Sequence, residues 1–345
     1  MRNKIKVALI TFLITMCCIV IFLNYSKSDS YKNYNFDRKY SNREILKFEK
    51  ESAKMSNDDY LMFIDSDTLI AESEKIDNKF TYAFYFRDRN LNNKKELKVQ
   101  LPEGSNRLLC NLKEIYFTNK FKLYKHDVFN KKNIFVDIPN FKTISLRTID
   151  FENEIFLLFG EHKKNNEFIT GFYFYDFKNK KLTKCKEISK SQTEKINLNI
   201  LKYSGSYHIS KKEDSIIYYC DKSSEIYFFD SKGKYLKTII THDQVPFPKI
   251  ICNENGNNFY SRDGTWNTNM GVALIKDRLF VFSASNNNKF KITLDEYSVK
   301  TNNYVKSYLI DYKKYRSNDI RGAFVSNNKL IIVTEFNYAS FILEI

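Results

Sequence analysis

The chain has 345 residues, 43% of them hydrophobic and 16% aromatic, and its 56 Lys and Arg outnumber 41 Asp and Glu to leave a net charge of +15. Such a charge suggests nucleic acid or an anionic surface, yet the lysines are scattered among the acids, and no helix-turn-helix, zinc-finger or RRM-like signature accompanies them. A specific nucleic-acid partner is therefore excluded. So are several chemistries, because the chain contains no CxxC, HExxH, GxSxG or Walker loop.

The N-terminus opens with Met1-Arg-Asn-Lys-Ile-Lys6, three positive charges and no acid, and then runs from Val7 to Leu23 without a charge. These seventeen residues sit at the lower limit for a membrane-spanning helix. With the basic flank inside, residues 1–23 read as a signal-anchor that leaves the rest of the chain outside the cytoplasm, in the periplasm or on the cell surface. Cleavage is the alternative: Ser26 and Ser28 are small residues at cleavage-site positions, and the product would then be secreted. Residues 24–42 are polar and lack apolar periodicity, so they read as a stalk.

From residue 43 onward the apolar pattern is that of strands. Arg43-Glu-Ile-Leu-Lys-Phe-Glu49 alternates polar and apolar residues, although 42–53 also carries the only mixed helical pattern in the chain. Units of irregular length then follow at about 57–101, 106–144, 145–190, 199–241, 247–310 and 318–345, a spacing proper to repeated β architectures. In the fourth, Ile216-Ile-Tyr-Tyr-Cys220, Glu225-Ile-Tyr-Phe-Phe-Asp230 and Lys234-Tyr-Leu-Lys-Thr-Ile-Ile240 read as three consecutive strands. Between the last two, Asp230 caps its own turn and Gly233 supplies positive φ, so the chain reverses tightly. The same pattern recurs in Gly171-Phe-Tyr-Phe-Tyr-Asp176 followed by Asn179-Lys-Lys-Leu182.

The residues Ile226, Tyr227, Phe228, Phe229, Asp230, Gly233, Lys234, Tyr235 and Leu236 resemble the outer hairpin of a blade in NHL-type and related, TolB-like six-bladed β-propellers. What the resemblance implies is an all-β fold: about six four-stranded antiparallel blades over residues 43–345, preceded by one transmembrane helix. The last unit has three strands only. Residues 43–49 are expected to supply its fourth, closing the ring and removing free sheet edges.

The four histidines, His126, His162, His208 and His242, are isolated in sequence, and no cysteine is paired with one at metal-ligand spacing. No catalytic residue, metal ligand or cofactor site is therefore read from the chain, and Cys220 reads as a small buried hydrophobe. Binding candidates are Arg262, Asp263, Trp266, Asn267 and Asn269, because this stretch holds the only tryptophan, two glycines and several side-chain amides. The bland alternative is a long connection in which Trp266 folds back onto the sheet. Tyr203, Tyr207 and His208 are weaker candidates on the first strand of a blade, where they would face the central channel or simply pack. The expected function is a non-catalytic binding or scaffolding module for a protein, peptide or cell-surface glycan. A propeller-type lyase or hydrolase, with His208, Asp263 and Arg262 as its candidate residues near the channel, is the alternative.

Overall fold

The computed structural model describes residues 15–16, 37–41, 46–53, 60–63, 70–75, 81–87, 93–110, 113–150, 152–210, 213–261, 265, 267–283, 292–310, 320–326, 329–334 and 337–343. Of the expected anchor, only Thr15 and Met16 fall within this set, and both are helical. Among the described residues, no helix is long and apolar enough to cross a membrane.

The chain begins its sheets with Leu46–Ala53 (β1), which belongs to the last of them. Tyr60–Phe63 (β2), Ile70–Lys75 (β3), Thr81–Arg87 (β4) and Asn93–Gln100 (β5) form the first four-stranded sheet in sequence order. Asn106–Cys110 (β6), Glu114–Asn119 (β7), Lys122–Asp127 (β8) and Lys132–Val136 (β9) form the second. Phe141–Asp150 (β10), Ile155–Lys164 (β11), Glu167–Asp176 (β12) and Lys181–Ser191 (β13) make the third, and after a short helix, Ile196–Lys202 (α1), Gly205–Ser210 (β14), Ser215–Cys220 (β15), Glu225–Asp230 (β16) and Tyr235–Ile240 (β17) make the fourth. A two-stranded hairpin, Ile250–Cys252 (β18) with Asn258–Tyr260 (β19), precedes the fifth sheet of Asn269–Ile275 (β20), Arg278–Ser283 (β21), Ile292–Ser298 (β22) and Tyr304–Ile310 (β23). Ile320–Ser326 (β24), Lys329–Thr334 (β25) and Asn337–Leu343 (β26) then pair with β1, in the order β1-β26-β25-β24.

Every pairing within these sheets is antiparallel and between neighbours in sequence, except β1 with β26. Short turns make that possible. Asp127, Asp150 and Asp176 each accept the backbone N–H three residues on through Oδ1 and the Asn side-chain amide through Oδ2, at 2.7–3.0 Å. Asp230 instead accepts from the N–H groups of Lys232 and Lys234, while Gly233 takes φ +80°. The acids cap the turns because they satisfy backbone donors that leave the ladder.

Among the described residues the core divides into five apolar clusters, and each lies between successive sheets. Phe84 and Phe117 belong to the one between the first and second sheets, Tyr116 and Phe156 to the second and third, and Phe172 and Tyr218 to the third and fourth. Ile217 and Val272 join the fourth to the fifth, and Phe280 and Leu330 the fifth to the sixth. Buried aromatics of this size hide about 150–250 Å² each, roughly 4–6 kcal/mol of gross transfer free energy. First strands touch one another in turn, β2 with β6, β6 with β10, β14 with β20 and β20 with β24. Sheets stacked face to face about their first strands make a β-propeller.

The third sheet begins at Phe141 rather than at 145, so residues 141–144 belong to it and not to the unit before, and three further features differ from the sequence expectation. The strand expected at 43–49 runs over Leu46–Ala53, with a bulge between Phe48 and Lys50. Residues 196–202 form a helix, which the apolar pattern did not announce because its packing against β10, β18 and β19 is tertiary. The third difference lies at the end of the expected stalk. Tyr40 forms a parallel bridge with Ser307 on β23, with Ser41 N–H bonded to the Ser307 carbonyl and Ser307 N–H to the Lys39 carbonyl, both at 2.9 Å. Arg38 clasps Asp295 there, Nε to Oδ1 at 2.9 Å, with both side chains 3% exposed. These residues are part of the folded domain.

Candidate functional site

β10 and β14 are the first strands of the third and fourth sheets, and both carry polar side chains in an otherwise apolar alternation. On β10, bulges at Thr143/Ser145 and Thr148/Asp150 break the strict two-residue alternation. Ser145 shares a 3.2 Å hydrogen bond with the Tyr207 hydroxyl on β14. Arg147 is buried, and its charge is felt by both His208 and Tyr219 of the fourth sheet.

His208 is 6% exposed. Burial first, and then the positive charge of Arg147, push its imidazole down to about 4, so it is neutral at physiological pH. Tyr219 lies across from Ser206 in the ladder and shares a hydrogen bond with it. Burial and Asp221 hold its phenol far above the ordinary range. A buried cation beside two neutral groups that can donate or accept hydrogen bonds has the chemistry to receive an anionic group bearing further polar atoms.

Gly205 opens the strand. A Cβ there would lie 2.3 Å from the Tyr219 carbonyl oxygen and 2.8 Å from the Tyr218 ring, so only glycine lets β14 approach β15 this closely. The other histidines have structural roles. His126 Nδ1 lies 2.7 Å from Asn133 Oδ1, His162 meets Tyr173 edge-on, and His242 stacks on Tyr304. Among the described residues, no three His, Cys, Asp or Glu side chains are grouped to hold a metal ion.

Of the residues expected from sequence, Arg262, Asp263 and Trp266 lie outside the described residues. Asn267 is exposed and accepts a hydrogen bond from Lys222 Nζ. Asn269 is 2% exposed, and its amide donates to the carbonyls of Cys220 and Ser223 at 2.8 and 2.9 Å. Thr268 adds its own N–H to the Asp221 carbonyl at 2.8 Å. The connection into the fifth sheet is thereby pinned to the β15–β16 turn, and Asn269 serves packing. Tyr203 ends α1, is buried edge-on against Phe159 and Phe247, and accepts the Tyr218 hydroxyl on its carbonyl. Tyr207 also packs in this aromatic cluster. Tyr203 has Lys202 Nζ over its ring at 5.2 Å, and of the three His208 is the one on which Arg147 acts.

No protein-family model and no curated sequence matches the chain. Solved structures similar to it include a member of the DUF4221 family from Bacteroides vulgatus, with a TM-score of 0.47 and 10% identity over 86% of this chain and 97% of that one. A structural-genomics protein of unknown function from Bacteroides thetaiotaomicron has a TM-score of 0.46 and 8% identity over 88% of this chain and 73% of that one. Virginiamycin B lyase from Staphylococcus aureus has a TM-score of 0.43 and 10% identity over 86% and 99%. Such distant likenesses carry no argument about activity.

Arg147 and Tyr219 were not singled out from sequence. Their signal is local. In Ile144-Ser-Leu-Arg-Thr-Ile149 a lone guanidinium interrupts a strand whose neighbours are apolar or small, which is a costly place to bury charge without a purpose.

Proposed function

We propose that the chain is a six-bladed propeller, its ring closed by β1 and its domain held outside the cytoplasm by the apolar segment from Val7 to Leu23. It acts as a non-catalytic binding module that takes an anionic group of a protein, peptide or cell-surface glycan at the axis. The observation that carries this reading is Arg147 on an inner strand, with neutral His208 and Tyr219 within reach of its charge. A carboxylate or phosphate seated there gains a guanidinium and two neutral donors in a site of low dielectric.

The test follows the His208 imidazole by NMR as pH is varied, with and without inorganic phosphate as the probe. In the free protein it titrates near 4. A bound anion stabilises the imidazolium and raises that value. An imidazole whose titration phosphate leaves unmoved removes the axial site. Orientation is checked separately: protease added to intact spheroplasts is expected to digest the domain, and protection of the domain while a known exported protein is cut defeats the anchored topology.

A lyase or hydrolase reading has one observation in its favour. A neutral imidazole is the form a general base requires, and the adjacent guanidinium would stabilise developing negative charge. His208→Ala that keeps ligand binding but abolishes turnover favours the enzyme.

A further inference from the structure

Away from the axis, a groove of about 380 Å³ runs over the junction of the second and third sheets. This is within the size range of small-ligand pockets and too small for a folded partner. Its rim carries the exposed lysines Lys120, Lys122 and Lys163, and two of these lie over aromatic rings, Lys122 over Phe135 and Lys163 over Phe168. Phe135 is itself 46% exposed, an open apolar surface beside the cations.

Glu161 of β11 lines the same groove and is only 2% exposed. Its Oε2 accepts the Lys195 N–H at 3.1 Å, the Asn199 amide at 3.2 Å and, at 3.5 Å, the Thr170 hydroxyl. Its Oε1 is buried without a hydrogen-bond partner among the described residues. Leaving a buried carboxyl oxygen unsatisfied is costly, and the cost falls when a ligand supplies the missing partner.

The charges restrict what that ligand is. Asp137 and Glu194 also line the groove, but Glu194 is paired to Lys142 at 2.6 Å, so Lys120, Lys122 and Lys163 leave the rim net positive, and an ammonium group that would satisfy Oε1 is disfavoured there while an anion is attracted. The missing partner is therefore a neutral donor, a hydroxyl, on a molecule whose negative charge meets the lysines and whose apolar face lies on Phe135. We infer that the groove between the second and third sheets is a second binding site, for a hydroxyl-rich anion of the acidic saccharide class. It shares β10 with the axial site but none of its residues: Phe141, Lys142 and Thr143 line the groove, whereas Arg147 lies further along the strand.

Calorimetric titration of the full domain with tetragalacturonate, glucose 6-phosphate and maltotetraose tests it. Saturable binding of one of the two anions, with maltotetraose at least tenfold weaker, is expected, and the preferred anion says whether carboxylate or phosphate is the natural charge. Lys122→Ala combined with Lys163→Ala, both on exposed side chains, is expected to weaken that binding at least tenfold and to steepen none of its salt dependence. Phe135→Ala is expected to weaken it severalfold, and Arg147→Lys at the axis to leave it unchanged. Failure of both anions to bind at millimolar concentration overturns the inference. So does equal binding of maltotetraose, or anion binding that survives loss of both lysines.

Discussion

The fourth and sixth sheets share one four-stranded pattern and are made from opposite kinds of chain. The fourth is continuous from Gly205 to Ile240, with each strand returning through a short turn onto its neighbour. In the sixth, β1 reaches β26 from the other end of the molecule, and Ser340 donates to Glu49 across 291 positions at 2.7 Å. Lys329 Nζ reaches the other oxygen of Glu49 at the same distance, and Phe48 meets Phe341 edge-to-face at 5.7 Å between centroids. Loop closure over such a span adds only slowly to the entropic cost, so the long-range strand is thermodynamically tolerable. Its vulnerability is different: it is an outer strand, and what lies beneath it is a hydrogen-bonding edge.

Deleting residues 46–53 breaks the comparison most severely. The deletion uncovers β26, and aggregation with a large fall in Tm is expected, read by size-exclusion chromatography and thermal melts. A monomeric deletion variant of unchanged Tm shows that the sixth sheet stands on three strands alone.

Arg38→Ala acts on the segment that leads into β1. It leaves Asp295 buried without its guanidinium, which typically costs about 3–5 kcal/mol. Urea denaturation is the measurement. A loss within about 0.5 kcal/mol, the usual range for a surface change, means that residues 38–41 do not hold the domain together.

The fourth sheet is expected to be the acid-sensitive partner. His208 titrates near 6.5 when unfolded and about 4 when folded, so the unfolded chain binds the extra proton between those values. Stability from this group is complete above about pH 6.5 and is lost as pH falls towards 4, about 3 kcal/mol in all. Comparing denaturation at pH 7 and 4.5 for the native protein and His208→Gln isolates the effect from the carboxylates. Equal slopes for the two proteins mean that His208 is not a buried neutral group.

Gly233→Ala probes the local turn on which the fourth sheet depends. An alanine there must hold φ near +80°, and its Cβ would lie 2.4 Å from the Phe174 ring of the third sheet. Strain and overpacking of this kind cost about 1–3 kcal/mol. A neutral result in a thermal melt means the turn and Phe174 relax freely.

How much was legible in the sequence follows the same division. Alternating aromatic and branched residues mark strands because one face of a sheet is buried, and Asp with Asn or Gly marks the turns because those side chains meet backbone donors or accept positive φ. The six strand groups and the strand-forming tendency before residue 50 are therefore written locally. The candidate site was less legible: the sequence pointed to His208, Asn269 and Tyr203, of which Asn269 and Tyr203 are buried in packing contacts, and it did not point to Arg147 or Tyr219. Their roles depend on which strands of different sheets face one another.

The sequence by itself determined the β class, the strand groups and the turns, since each rests on a preference of a few neighbouring residues. Tertiary structure alone decided that Arg38 pairs with Asp295 of the fifth sheet, that residues 196–202 are helical, that His208 is neutral and that Glu161 keeps an unsatisfied oxygen beside a lysine-rimmed groove. Each of those depends on desolvation or on a partner far away in the chain, and neither is encoded in local pattern.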